Sequence, residues 1–113
     1  MAVTPAVRFI ARGFLCLSVV LFFGFPLKTQ ETGEALFEAK CAMCHGPDAA
    51  GKTPMGQTLK VPNLHSEQVQ KMTDTELLAV VAKGKNKMPG YEGKLPKGQI
   101  EQLVLYIRTL AKH

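Results

Sequence analysis

Apolar residues at helical spacing predict three helices in this chain. The clearest pattern lies near the C-terminus, where apolar residues recur at i, i+3, i+4, i+7 and i+10: Ile100, Leu103, Val104, Ile107 and Leu110. One buried face on a helix over about 97–111 accounts for this spacing. The start of this helix is poorly capped, because Lys97 and Gly98 stand where serine, threonine or aspartate is usual.

The second helix has the strongest start signal. Thr73 and Glu76 form a capping box, in which each side chain satisfies a free backbone N–H of the first turn. Met72 before the cap and Leu77 after it form a hydrophobic staple. Gly84 is a natural C-terminal cap, so the helix is predicted between Thr73 and Gly84.

The first helix is predicted over about 33–43. Thr32 is its N-cap, and Phe37 and Cys41 share one face. The segments 46–72 and 84–96 are rich in glycine and proline and show no strand or helix period. The chain is therefore predicted to be all-α, with three main helices and long loops. An irregular segment as long as 46–72 is unusual in a compact domain unless it wraps something.

The N-terminal residues differ from the rest. Arg8 and Arg12 precede an apolar run over 14–25 that Pro26 stops. A positive start before a short apolar core is the pattern of an export signal, and the run is shorter than the ~20 residues that span a bilayer comfortably. Since no small-residue cleavage site follows, residues 1–29 are predicted to be either a cleaved signal or a retained anchor. Residues 30–113 are predicted to form the domain, and we expect it to be exported to the periplasm or the outer face of the cytoplasmic membrane.

The size and charge of the chain limit the classes of protein to which it can belong. The chain has 113 residues, enough for one domain. A domain of about 80 residues has little core of its own and usually carries a staple such as a metal or a cross-link. Without Arg8 and Arg12, 12 basic residues stand against 9 acidic ones. This mild excess, with no basic stripe or aromatic platform, excludes nucleic acid as a partner.

The candidate chemistry lies in Cys41-Ala42-Met43-Cys44-His45. A structural zinc site needs four ligands, and the remaining histidines, His65 and His113, do not form a pair. A thioredoxin-type dithiol follows a strand and begins a helix, whereas this motif ends one. A plain disulfide leaves His45 and the long loops unexplained.

Covalent haem attachment explains all of these features, since C-x-x-C-H is its signature. The thiols of Cys41 and Cys44 add to the two vinyl groups of the porphyrin, and the imidazole of His45 binds the iron. The haem also supplies the apolar mass that a small domain lacks. We therefore predict one haem c, with His45 as the proximal iron ligand.

The second axial ligand decides between electron carrier and catalyst. The candidates are Met43, Met55, Met72, Met88, His65 and His113. Met88 is favoured because it lies in the loop between the last two helices, where Pro89 holds the chain extended. A gap-filling apolar role for Met88 is the alternative. A thioether ligand raises the reduction potential, and two protein ligands leave no open site for a substrate.

The motif, the Met88-Pro89 loop and the aromatic final helix together resemble small class I monohaem c-type cytochromes, over residues of about 30–111. The resemblance implies that Gly33 and Phe37 of the first helix pack against Leu103 and Tyr106 of the last. It also implies that the carbonyl of Pro62 accepts a hydrogen bond from Nδ1 of His45.

The predicted function is electron transfer by one haem with His45 and Met88 as ligands, in an exported respiratory or photosynthetic chain, and not enzyme catalysis. A haem subunit permanently docked on an oxidase or dehydrogenase is an alternative, and a ligand-binding or peroxidase-like protein with an open sixth position is another. The partners are redox proteins, and a membrane is a partner only if residues 1–29 are retained.

The lysines before Met88 favour a partner with an acidic docking surface: Lys83, Lys85 and Lys87. The residues expected to line the haem are Val61, Leu64, Leu77, Val81, Tyr91 and Val104.

Overall fold

The described part of the chain is helical. In the computed structural model this part comprises Gly24 and residues 30–112, and its helices are α1 (Gly33–Lys40), α2 (Ala42–His45), α3 (Pro54–Leu59), α4 (Glu67–Gln70), α5 (Asp74–Lys83) and α6 (Lys97–Thr109), followed by a 3₁₀ turn at Leu110–Lys112. Over these residues there is no strand, and two isolated bridges, Lys85 with Met88 and Glu92 with Leu95, are the only β pairings. The predicted all-α class is confirmed.

The N-terminal prediction lies outside the described residues, apart from Gly24. The signal or anchor segment therefore stays a prediction. Among residues 24 and 30–112, no helix has both the length and the apolar composition that crossing a bilayer requires.

The predicted caps hold the main helices in place. The Thr32 hydroxyl accepts a hydrogen bond from the Ala35 N–H at 3.2 Å and begins α1. The capping box of α5 is complete: Thr73 Oγ1 accepts from the Glu76 N–H at 3.2 Å, and the Glu76 carboxylate accepts from the Thr73 N–H at 2.7 Å. Helix α6 begins after Pro96 without a side-chain cap, as its sequence indicates.

Two predicted boundaries were wrong. The segment 46–72 contains α3 and α4, which have six and four residues and are too short to show a helical period. Their starts carry caps that sequence reasoning passed over, Thr53 followed by Pro54 and Ser66 before Glu67. The first helix also breaks at Cys41, so the attachment motif occupies a separate turn, α2.

The crossing of α1 with α6 forms the centre of the core. Leu36, Phe37 and Leu103 are the most deeply buried large side chains in the described residues. The Phe37 and Tyr106 rings lie 5.2 Å apart between centroids, a tilted aromatic pair. Gly33 contacts the backbone of α6 so closely that a β-carbon there would lie 2.1 Å from the Gln102 carbonyl oxygen. The packing of these two helices that the resemblance implied is present.

Arg108 fixes α6 against the start of α5. Its Nε donates to the Asp74 carboxylate at 2.7 Å, its Nη1 donates to the Gln70 carbonyl at 3.0 Å, and its Nη2 donates to the Met72 carbonyl. The guanidinium thereby binds the last carbonyl of α4, which has no partner within its own helix, and a carbonyl of the segment that follows. This contact sets the position of α5, which forms one wall of the cavity described next.

Candidate functional site

A cavity of about 580 Å³ is lined by residues of helices α1 to α6 and of the irregular segments between them. This volume is within the range of about 300–1,000 Å³ that small-molecule and cofactor sites occupy. The walls are mainly apolar, and their aliphatic and aromatic members include Phe37, Leu59, Val61, Leu64, Val69, Leu77, Val80, Val81, Tyr91, Leu103 and Ile107.

The cavity brings together every site residue that the sequence predicted. Cys41, Cys44 and His45 line it from α2 and the residue before it, Pro62 from the segment after α3, and Met88 from the loop after α5. Cys41 and Cys44 are free thiols and form no disulfide. These five residues come from parts of the chain up to 47 positions apart, so folding is what assembles them.

The motif is presented by one short turn that α3 supports. Within this turn, the His45 N–H donates to the Cys41 carbonyl at 2.9 Å, and Gly46 ends it with a positive φ of 82°. The Thr53 hydroxyl, which also caps α3, donates to the Cys44 carbonyl at 2.8 Å. Gly56 lets the backbones approach, because a β-carbon there would lie 2.3 Å from the same carbonyl. The missed helix α3 therefore holds the attachment motif.

The raised pKa of the Cys41 thiol argues against a redox dithiol. Burial, and secondarily the neighbouring Cys44, raises the pKa of Cys41 to about 11. Reactive dithiols instead depend on a first cysteine whose pKa is lowered. With a pKa of about 11, Cys41 lacks the thiolate character of a reactive dithiol at neutral pH.

The arrangement of possible ligands also argues against a zinc site. Across the described residues, no three side chains of histidine, cysteine, aspartate or glutamate converge in a way that would hold a metal ion. His65 is occupied elsewhere, because its Nδ1 lies 3.0 Å from the Leu110 carbonyl and its Nε2 lies 2.6 Å from the Asp48 carbonyl.

The imidazole of His45 is in a state suited to binding a metal, but one of its ring nitrogens has no hydrogen-bond partner in the described part of the chain. Burial lowers the pKa of His45, which favours the neutral form that binds metals. Its Nδ1 is buried without a hydrogen-bond partner. The bond from Nδ1 to the Pro62 carbonyl is thus absent here, although Pro62 lines the same cavity. The Pro62 carbonyl oxygen lies close to Gly51, where a β-carbon would be 3.4 Å from it.

Comparison with known proteins agrees with this site. Residues 28–107 match the family described as cytochrome C oxidase, cbb3-type, subunit III. The chain is 36% identical over 98 residues to cytochrome c6 of Nostoc sp., a match that covers 80% of this chain and 84% of that protein. The chain belongs to the cytochrome c family. It is a small monohaem class I c-type cytochrome with one covalent haem c, and it carries electrons.

Two further matches place this cytochrome among its relatives. It is 32% identical over 82 residues to the cbb3-type cytochrome c oxidase subunit FixPc of Rhizobium leguminosarum bv. viciae, covering 71% of this chain but 27% of that protein. The solved structure of the KustC0563 c-type cytochrome shares the fold with a TM-score of 0.65 at 24% identity, covering 71% of this chain and 98% of that one.

The cavity of this cytochrome fits a haem. Its apolar walls suit a porphyrin, two thiols stand at the attachment spacing, and the imidazole of His45 lies beside them in the lining. Leu64, Leu77, Val81, Val61 and Tyr91 line it as predicted, but the prediction for Val104 was wrong. Val104 is buried in the core, while its neighbours on the helix, Leu103 and Ile107, face the cavity one turn apart.

Among the described residues, three methionines line the cavity of the cytochrome: Met43, Met72 and Met88. Met43 is 77% exposed and belongs to the attachment motif itself. Met55 is 46% exposed and does not line the cavity, and His113 lies outside the described residues. Of the methionines in the described residues, Met88 and Met72 therefore remain as candidates for a second iron ligand.

Lysines are the charged residues of the cavity lining. Lys40, Lys60, Lys85 and Lys87 border it, whereas no aspartate or glutamate does within the described residues. Lys83, also predicted to belong to this group, is exposed at the end of α5 and does not line the cavity. None of the four bordering lysines takes part in the ion pairs formed in this part of the chain. Within the described residues, the cavity lining therefore has a net positive charge.

Proposed function

We propose that this cytochrome transfers single electrons through a haem held by Cys41, Cys44, His45 and Met88. The observation that carries the proposal is that all four side chains line one apolar cavity of about 580 Å³. Each thiol would add its S–H across a vinyl group and form a thioether with no leaving group. His45 and Met88 would supply the two axial ligands of the iron.

The chain's own residues account for the properties of a carrier. The haem supplies the one-electron Fe(III)/Fe(II) couple. An imidazole and a thioether together leave no open position for a substrate, and the soft sulfur of Met88 favours the reduced state and a higher potential. The apolar walls exclude water, which limits the reorganisation that accompanies a change of charge. We also propose that the Pro62 carbonyl accepts the Nδ1 proton of His45 when the haem is bound, since both residues line the cavity and Nδ1 has no other partner among the described residues.

The N-terminal sequence supports export. Residues 1–29 have the charge and apolar pattern of a signal or anchor, and thioether attachment suits an exported protein. We propose a location in the periplasm or on the outer face of the cytoplasmic membrane, in a respiratory or photosynthetic chain.

Visible spectra of the full chain, expressed in a host that matures c-type cytochromes, test this proposal. We expect haem colour to remain with the polypeptide on a denaturing gel, and to be lost in the Cys41→Ser/Cys44→Ser double variant. The oxidised protein should show the weak red-edge band of methionine-ligated Fe(III), and the reduced protein should bind carbon monoxide slowly. Absence of the band together with rapid carbon monoxide binding would contradict the proposal and favour the ligand-binding or peroxidase-like alternative.

A second candidate function is a haem subunit docked on an oxidase. It is favoured by the match of residues 28–107 to the cbb3-type subunit III family and by the similarity to FixPc. The site chemistry is the same in both cases. Co-purification with an oxidase from native membranes would support this candidate, and recovery as a free monomer would support the diffusible or tethered carrier.

The charge around the cavity supports an acidic redox partner. For the Lys85→Gln/Lys87→Gln double variant, we expect oxidation of the ferrous protein by the anion hexacyanoferrate(III) to slow about threefold at low ionic strength, because local attraction is reduced. Oxidation by a cationic cobalt complex should not slow. Stopped-flow rates over a range of salt concentrations measure both effects.

The matched control removes two charges elsewhere. Lys71 and Lys97 are exposed and do not line the cavity. The Lys71→Gln/Lys97→Gln variant should keep nearly the original rate with the anion. Equal slowing in the two variants would mean that total charge, and not the lysines around the cavity, governs the rate.

A further inference from the structure

The loop that carries Met88 is attached to the protein at both of its ends. On one side, Lys85 and Met88 exchange backbone hydrogen bonds at 2.9 and 3.1 Å and close a tight turn, with Asn86 at a positive φ of 54°. Gly84 permits this turn to contact the end of α5, since a β-carbon there would lie 2.4 Å from the Met88 carbonyl oxygen.

On the other side, Tyr91 is bound through its backbone to α5. Its N–H donates to the Val81 carbonyl at 3.0 Å, and the Glu92 N–H donates to the Ala82 carbonyl at 2.9 Å. Gly90 makes this approach possible, because a β-carbon there would lie 2.6 Å from the Ala82 carbonyl oxygen. The last carbonyl groups of α5 are thus used to fix the residue three positions after Met88.

The side chain of Tyr91 makes a second attachment, to a different part of the fold. Its hydroxyl donates to the Lys40 carbonyl at 2.9 Å, across a separation of 51 residues. Lys40 ends α1 and directly precedes Cys41. The ring of Tyr91 lines the cavity, so this hydrogen bond joins the wall that carries Met88 to the wall that carries the attachment motif.

We propose that the Tyr91 hydroxyl is a latch that holds the Met88 loop against the attachment segment and so keeps the Met88 sulfur on the iron. Tyr91 is a positioning residue, and this inference rests on the proposed role of Met88 as a ligand. Only Pro89 and Gly90 separate the two residues, and proline restricts the backbone between them. A movement of Tyr91 away from Lys40 would therefore move Met88 as well.

The Tyr91→Phe variant of the haem-loaded full chain tests the latch, because it removes the hydroxyl and keeps the ring. Opening of the methionine–iron bond limits carbon monoxide binding to the reduced protein. Loss of one neutral hydrogen bond should speed that binding about threefold to tenfold. The methionine–Fe(III) band should also disappear at a lower denaturant concentration, and amide hydrogens of residues 84–92 should exchange faster.

Tyr106→Phe is the matched control, since the Tyr106 ring packs on Phe37 and does not line the cavity. It should leave the carbon monoxide rate and the exchange of residues 84–92 unchanged. Wild-type rates in Tyr91→Phe, with the band present in the unmodified protein, would overturn the latch and leave the proposed function intact. A wild-type protein without the methionine–Fe(III) band would overturn the proposed function itself. This outcome is measured on the unmodified protein and does not depend on the Tyr91 variant.

Discussion

Replacing Met88 with alanine should abolish the methionine–Fe(III) band while haem stays attached to the polypeptide. The attachment depends on Cys41 and Cys44, whereas the band depends on the thioether ligand. Without that ligand the potential should fall by on the order of 100 mV or more, because axial ligands alone shift haem potentials over about 0.8 V. Reduced protein should also bind carbon monoxide rapidly at the vacated position. Absorbance spectra, redox titration and flash photolysis measure these three effects.

Two methionine variants serve as controls. Met72→Leu changes a methionine that lines the same cavity and keeps its volume, so we expect a small loss of stability and an unchanged band. Met55→Leu changes a methionine that is 46% exposed and does not line the cavity, and it should behave like the wild type. A band that survives Met88→Ala and disappears in Met72→Leu would assign the ligand to Met72.

Replacing Gly33 with alanine should lower the free energy of unfolding by about 3 kcal/mol. The added β-carbon would lie 2.1 Å from the Gln102 carbonyl oxygen and 2.9 Å from the Tyr106 β-carbon. Since the first contact is with backbone, α1 and α6 must move apart to relieve it. For a domain of this size the midpoint of thermal unfolding should fall by about 15 °C. Circular dichroism of the haem-loaded protein measures the change.

Gly98→Ala is the control for this substitution. Gly98 lies in the first turn of α6, and a β-carbon there would have no neighbour within 4 Å. Alanine should therefore be neutral or stabilise the protein by up to about 1 kcal/mol, as expected from helix propensity. Equal destabilisation by both substitutions would show that the close contact between α1 and α6 is not the cause.

The helices that form the cavity walls were predictable because their signals are local. The capping box of Thr73 with Glu76 and the apolar face of α6 each depend on residues within one to four turns of one another. The short helices α3 and α4 were missed because hydrophobic periodicity needs a longer window than six or four residues. Their capping residues, Thr53 and Ser66, are the signals that would have found them.

For the residues of the site, predictions from sequence succeeded for contacts between neighbours in the chain and failed for some contacts between distant residues. The spacing of Cys41, Cys44 and His45 fits within one turn, so the order of residues was enough to indicate haem attachment. The acceptor for His45 Nδ1 depends on the orientation of a distant carbonyl, and the predicted bond to Pro62 is absent from the structure. Val104 was misplaced because a helix buries residues on more than one side, and only Leu103 and Ile107 face the cavity.

By itself, the sequence determined the helical class, the main caps and the haem-binding motif, since each is encoded by residues close together in the chain. Only the tertiary structure decided which methionines reach the cavity and that Tyr91 binds the carbonyl of Lys40. It also decided that, among the described residues, lysines carry the charge of the cavity lining. These contacts join residues up to 51 positions apart, so they exist only after α1, α5 and α6 have packed together. No local pattern specifies such contacts, because their geometry depends on the whole core.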